Sequence, residues 1–255
     1  MKGKKNRQNS GQILVIAVLV VSLVLLSTLF YIYEIARPLE ETESINVNNF
    51  VFAVKLSSKH AVISSLANIS GKGNNSFLST NLEKWTVLID GLYEFGKPIL
   101  SFQLGDTSPY INGTYLSWGI DGFGVSSAYV DFNFLLSDSQ VDIQMPYSVN
   151  VTSSLWVDGV YQTLIGNVKQ ANVTCNLFNE GSPALAENVT VLYEDSGSWQ
   201  RADEQANYSF IDYGNGTCFV SFEADILGEN VNVSAQVHDL RGIYVQANAT
   251  CTNGT

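Results

Sequence analysis

One apolar segment, residues 13–33, constrains this chain more than any other feature. It reads ILVIAVLVVSLVLLSTLFYIY, a run of 21 residues without a charged side chain. As a helix it would be about 31 Å long, which matches the hydrocarbon core of a bilayer. We therefore expect a transmembrane helix over residues 12–36, with the lipid bilayer as its partner.

The charges around this segment predict its orientation. Lys2, Lys4, Lys5 and Arg7 precede it in a basic leader, residues 1–11, and the first acidic residue is Glu34. Positive charge tends to remain on the cytoplasmic side of a membrane. We expect a single-pass protein of the cell membrane, with a cytoplasmic amino terminus and an extracellular bulk.

The remainder of the chain is strongly acidic. All 24 acidic residues but only nine of the 13 basic ones follow the leader, so this part carries a formal charge of 9 − 24 = −15. Such a surface repels nucleic acid, which we exclude as a partner. No calcium-binding loop motif is present, and we expect neither a metal nor a cofactor.

Asparagine glycosylation motifs are enriched in the acidic part. Eleven of 23 asparagines begin an N-x-[ST] motif, whereas the Ser and Thr content would give about four by chance. These asparagines are Asn68, Asn74, Asn112, Asn150, Asn172, Asn188, Asn207, Asn215, Asn232, Asn248 and Asn253. The enrichment predicts an N-glycosylated extracellular protein.

Three cysteines lie in the last third of the chain: Cys175, Cys218 and Cys251. Outside the cell, an odd number implies one disulfide and one spare thiol, or a link between chains. The sequence does not indicate which two pair. Their strand parity suits a disulfide between two sheets, and Trp199 could pack beside it.

Residues 37–165 have the pattern of an α+β domain. Helical spacing over 50–68 is followed by a second helix that a capping box, Thr80 with Glu83, would open. Alternation of period two then predicts antiparallel strands, and Ala128, Val130, Phe132, Phe134 and Leu136 would face the helices. Asp158-Gly159 predicts a hairpin turn within 147–165, and we place the domain boundary near Gly166.

Residues 166–255 contain only strand patterns, at the spacing of an Ig-like β-sandwich. In each of five strands the apolar residues share one parity and the glycosylation asparagine has the other. A glycan needs the solvent face and a core residue the opposite one. The whole chain is thus expected to be an α+β protein with an N-terminal transmembrane helix, a helix-plus-sheet head and a C-terminal sandwich.

No residue set indicates catalysis, and we expect no enzyme. His60 and His238 have no nucleophile or metal-binding partner in the sequence. Asp131, Asp138 and Asp142 could be considered as a glycosidase acid pair, but scattered solvent charges explain them better. Trp118, Trp156 and Tyr244 could form a sugar-stacking platform, although aromatic residues in β-rich domains more often fill the core.

The leader also carries a resemblance. Ser10-Gly11-Gln12, followed at once by the apolar run, resembles the prepilin-type leader of archaeal type IV pilin-like proteins. The resemblance implies cleavage between Gly11 and Gln12 and contacts with like subunits or other surface proteins. The function it implies is a membrane-anchored, pilin-like or pseudopilin-like structural subunit. The alternatives are a plain signal anchor and a ligand- or glycan-binding ectodomain.

Overall fold

A computed structural model describes residues 22, 25–29, 47–92, 97–119, 121–137 and 142–254. Strands account for 56% and helices for 22% of these residues. The chain divides into two compact units, Met1–Lys55 and Leu56–Thr255. In the first unit, residue 22 and residues 25–29 and 47–55 are helical.

From residue 47 onward, the described residues form two α-helices followed by twelve strands. Helix α1 covers residues 47–70, with the division between the units inside it, and α2 is Phe77–Ile89. The strands are β1 (Lys97–Leu104), β2 (Thr114–Trp118), β3 (Phe123–Ser137), β4 (Asp142–Thr163), β5 (Val168–Asn179), β6 (Ser182–Pro183), β7 (Ala186–Asp195), β8 (Ser198–Arg201), β9 (Ala206–Asp212), β10 (Thr217–Asp225), β11 (Val231–Asp239) and β12 (Tyr244–Asn253).

The strands form two layers joined at one corner. The large sheet has the order β1–β3–β4–β5–β10–β9, with β2 also on β3 and β6 on β5, and the small sheet has the order β8–β7–β11–β12. All these pairs are antiparallel. A short parallel pairing of β12 with β4, at Thr252 with Val160 and Asn253 with Tyr161, links the two layers. The described strands therefore form one twelve-stranded, sandwich-like sheet.

Two glycines let β12 lie against the large sheet. A Cβ atom on Gly124 of β3 would overlap the carbonyl oxygen of Gln246 in β12. A Cβ on Gly159 of β4 would overlap the sulfur of Cys251. Backbone hydrogen bonds fix this contact, since Gly122 N donates to Asn248 O at 2.8 Å and Asn248 N donates to Gly119 O at 3.0 Å. Glycine is needed here because the two backbones approach each other too closely for a side chain.

An ion-pair network holds the turn between β11 and β12 on the large sheet. The fully buried carboxylate of Asp239 accepts from the Arg241 Nε at 2.8 Å and from the backbone N–H of Ile243 at 2.9 Å. Arg241 also donates to the carboxylate of Glu180 at 2.6 Å and to the carbonyl of Thr152 at 3.0 Å. Because Asp239 is buried, removing Arg241 would leave an uncompensated charge.

The core between the layers confirms the parity predicted for the last third of the chain. Val173, Cys175, Val233, Val245 and Phe222 are all buried in a single apolar cluster. The parity predicted for β3 is confirmed as well, since Ala128, Val130, Phe132, Phe134 and Leu136 are each at most 2% exposed. Burial of alternate residues is what pleated strands require when one face is covered.

The expected α+β fold with a separate head domain is wrong, because the described fold is mostly β. The physical reason is the length of β4. This strand runs through Asp158-Gly159 without a turn, pairing with β3 over 142–156 and with β5 over 153–163. The expected head and sandwich therefore share one strand, and the turn at Gly166 connects β4 to its own partner β5. The second helix also begins earlier than expected, at Phe77 after Ser76.

The described residues contain no helix that is both long and apolar enough to cross a membrane. The 13 residues of α2 would span about 20 Å, and α1 carries Lys55, Lys59 and His60. For the part of the chain that the structure describes, the expected transmembrane helix and single-pass location in the cell membrane are therefore wrong. Of the expected span 12–36, only residue 22 and residues 25–29 are described, and the leader 1–11 lies outside the described residues.

Replacing Gly124 by Ala should destabilise the fold by about 1–3 kcal/mol, because the added methyl group must displace the β12 backbone. Gly228→Ala is the matched control: its Cβ would meet only Asn230 O at 3.6 Å, so we expect a change within about 0.5 kcal/mol. Urea unfolding followed by circular dichroism measures both. Equal stability of the two variants would show that β12 does not lie this close to β3.

Candidate functional site: the acceptor asparagines and the small-sheet surface

The eleven glycosylation asparagines all lie at the surface of the second unit. None is buried: Asn172, Asn232 and Asn248 are partly exposed and the other eight are exposed. In the strands, alternation explains this placement. Asn172, for example, stands between buried Ala171 and Val173 on β5. The fold thus leaves each of the eleven motif asparagines at least partly exposed.

Two of these asparagines shape the turns in which they lie. Asn74 Oδ1 accepts a hydrogen bond from the N–H of Ser76 at 2.9 Å, and Asn215 Oδ1 accepts one from the N–H of Thr217 at 3.1 Å. Each is an Asx turn in which the asparagine bonds the third residue of its own motif. The side-chain nitrogen, the atom that glycosylation modifies, is left pointing away from this bond.

The outer face of the small sheet carries a polar row. Thr250 Oγ1 donates to Asn232 Oδ1 at 2.8 Å, and Asn232 Nδ2 donates to Glu194 Oε2 at 2.8 Å. These residues lie on β12, β11 and β7 and therefore cross three neighbouring strands. Gln246 lies beside them on β12. Its Nε2 donates to Asn248 Oδ1 at 3.2 Å, and its Oε1 accepts from the Tyr244 hydroxyl at 2.7 Å.

Trp199 ends this row on β8. The register pairs it with Glu194, and its side chain is 44% exposed. Trp199 does not pack beside the cysteines: it pairs with Glu194, whose β7 neighbour Tyr193 is the buried residue, and the apolar cluster that holds the cysteines does not include it. Sequence reasoning missed its proximity to Glu194 and Asn232, since that depends on the order β8–β7–β11.

The three residues considered for an aromatic platform are not brought together. Trp118 and Tyr244 meet edge to face with ring centroids 5.1 Å apart, and the Trp118 indole N–H donates to Ser126 Oγ at 3.3 Å. Trp156 packs instead on Phe123, 4.7 Å away, and is 53% exposed. Since the neighbours of Trp156 on β4 are buried, its ring faces away from the core.

The histidines and aspartates that were considered as catalytic acids or bases also lie far apart from one another. His60 is exposed, and His238 packs on Tyr244 with ring centroids 5.2 Å apart. Asp131 accepts from the hydroxyls of Tyr129 and Ser148. Asp142 pairs with Ser137 on β3, so it lies six residues from Asp131, about 20 Å along the strand. Asp138 lies outside the described residues.

A glycosidase carboxylate pair is separated by about 5–9.5 Å, which Asp131 and Asp142 greatly exceed. Within the described ranges, no three His, Cys, Asp or Glu side chains cluster in a way that could hold a metal ion. The exposed aspartates on this sheet are therefore explained as solvated surface charge.

All three cysteines are buried free thiols. Cys175 and Cys218 are direct neighbours across β5 and β10, and the Cys251 sulfur lies against Gly159 of β4. Burial raises the pKa of Cys175 to about 12, with a further contribution from Cys218, and burial raises the pKa of Cys251 to about 12. Burial also raises the pKa of Cys218 to about 11, helped by Asp212. The structure has no disulfide among the three, so the disulfide expected from the sequence is the alternative that the alkylation experiment below distinguishes.

The expected processing residues Gly11 and Gln12 lie outside the described residues. The chain matches no protein-family model, and no curated protein matches it significantly.

Iodoacetamide should not modify the native protein at pH 8, because a buried thiol with a raised pKa supplies little thiolate. After denaturation without reductant, all three thiols should react, as counted by intact mass. Modification of only one would show that two cysteines form a disulfide.

The same thiols predict a pH dependence of stability. An unfolded cysteine has a pKa of about 8.5, so above that pH the unfolded state loses protons that the folded state keeps, and the free energy of unfolding should fall as pH rises. The decrease should extend towards the folded pKa of about 12 for Cys175. Cys175→Ala should have a shallower slope in urea unfolding between pH 8 and 10, and an unchanged slope would contradict the buried thiol.

Proposed function

We propose that this chain is a non-enzymatic, N-glycosylated structural protein whose β-sandwich presents glycans on its surface. The observation that carries the proposal is the enrichment of acceptor motifs, and their exposure is the condition that modification requires. The acceptor motifs exceed chance more than twofold, and the fold exposes at least partly every one of the eleven asparagines.

The mechanism of such a protein is positioning. The sandwich is held by close backbone contacts and a buried ion-pair network, so the positions of its surface groups are fixed relative to each other. Attached glycans would add bulk and solubility to a surface that is already acidic. The remaining surface would contact like subunits, and we exclude nucleic acid as a partner because of the charge.

Within this class, the pilin-like identity is a proposal based on Ser10-Gly11-Gln12. Cleavage after Gly11 would make Gln12 the first residue of the mature chain. Intact-mass measurement of protein from its native cells tests this directly. A chain that begins at Met1 would remove the pilin-like proposal and leave the structural glycoprotein.

Glycopeptide mass spectrometry of the native protein should find glycans at several exposed acceptor asparagines, including Asn74 and Asn215 in their Asx turns. Asn230 is the matched control, because it is exposed but begins no acceptor motif, and it should be unmodified. Thr217→Ala should abolish the modification of Asn215 alone. Eleven unmodified asparagines would overturn the proposed function.

The alternative proposal is a ligand- or glycan-binding module. It has less support, because Trp118, Trp156 and Tyr244 do not form one platform. A glycan array probed with the full chain separates the two proposals, since a structural subunit should give no selective signal.

A further inference from the structure

A shallow groove of about 180 Å³ crosses the outer face of the small sheet. Its polar lining comes from Glu194, Asn232, Asn248 and Thr250, and its aromatic wall is Trp199. Pockets for drug-sized ligands have volumes of roughly 300–1,000 Å³. This groove is smaller and open to solvent. It therefore suits a narrow, extended ligand such as a short chain of rings, which can lie along the groove, rather than a compact molecule that must be enclosed.

The lining has the chemistry that recognises a saccharide. A sugar ring has an apolar face, which stacks on an indole, and a rim of hydroxyl groups, which bond to carboxylates and amides. Trp199 supplies a half-exposed indole, and Glu194 lies beside it in the strand register. The bonds from Thr250 to Asn232 and from Asn232 to Glu194 hold the amide and the carboxylate in place before any ligand is present.

One acceptor asparagine opens into this groove with its nitrogen unoccupied. Among the described residues, Asn248 Nδ2 makes no hydrogen bond, whereas its Oδ1 accepts from Gln246. Asn232 differs, because its Nδ2 already donates to Glu194. Asn248 is therefore the acceptor in the groove whose nitrogen can be modified without breaking the polar row.

We propose that the groove is an intramolecular saccharide site, in which the proximal sugars of a glycan on Asn248 lie along the polar row and stack on Trp199. This inference rests on the proposed N-glycosylation. Strands are spaced about 4.8 Å apart, so the path from β12 to β8 is roughly 14 Å. The side chains and two or three sugar rings can cover that distance. The glycan would thus be ordered on the protein and would cover the edge strand β8.

The test is ¹⁵N NMR spectroscopy of the indole N–H groups. It compares the signals of Trp85, Trp118, Trp156 and Trp199 in the ¹⁵N-labelled glycoprotein with those in N248Q. We expect the Trp199 signal, assigned with W199F, to shift between the two while the other three remain unchanged. T250S is the matched control: it keeps the acceptor motif and a hydroxyl at position 250, so its Trp199 signal should be that of the unaltered glycoprotein. A second measurement is thermal unfolding, in which W199A should lower the Tm more in the glycosylated protein than in N248Q.

The outcomes separate this inference from the proposed function. If no acceptor asparagine is glycosylated, the proposed function itself is wrong. If other asparagines carry glycans but Asn248 does not, only the groove proposal is wrong. It is also wrong if Asn248 is glycosylated and the Trp199 signal equals that in N248Q.

Discussion

The close approach of β12 to β3 and β4 is the constraint on which the rest of the fold depends. Small residues make it possible on both sides, because glycines on the large sheet meet Ala247 and Ala249 of β12. The Asp239–Arg241–Glu180 network then fixes the turn that leads into β12. With β12 held at this corner, the small sheet covers the inner face of the large sheet and completes the core.

This arrangement also determines what the outer surface presents. Inward residues of β12 such as Val245 are completely buried, so Asn248 and Thr250 must point outward. The pairing of β12 with β11 and of β11 with β7 brings Thr250 into one row with Asn232 and Glu194, and Asn248 lies two residues along β12 from this row, opposite Ser234. The proposed glycan site is therefore a consequence of the same strand order that builds the core.

The features that could be predicted from the sequence are those with a local physical cause. Strand parity is local, because successive side chains point to opposite faces, and it correctly separated Asn232 from Val231 and Val233. The acceptor asparagines are local motifs.

In contrast, Asp158-Gly159 has the local signature of a turn, but Gly159 is required because β12, almost a hundred residues later, lies against it. The row from Thr250 to Trp199 depends on the order of four strands, which no local pattern contains. The head and the sandwich were predicted as separate parts for a similar reason. No local pattern shows that one strand, β4, belongs to both.

Amide hydrogen exchange at the corner between the two sheets tests the central claim most directly. Gly122 N–H and Asn248 N–H form the hydrogen bonds between β12 and the turn that joins β2 to β3, so both should exchange as slowly as the buried amide of Val173 in β5. Exchange of these two amides at the rate of the exposed turn at Gly197 would contradict the account, because β12 would then not be held against the large sheet.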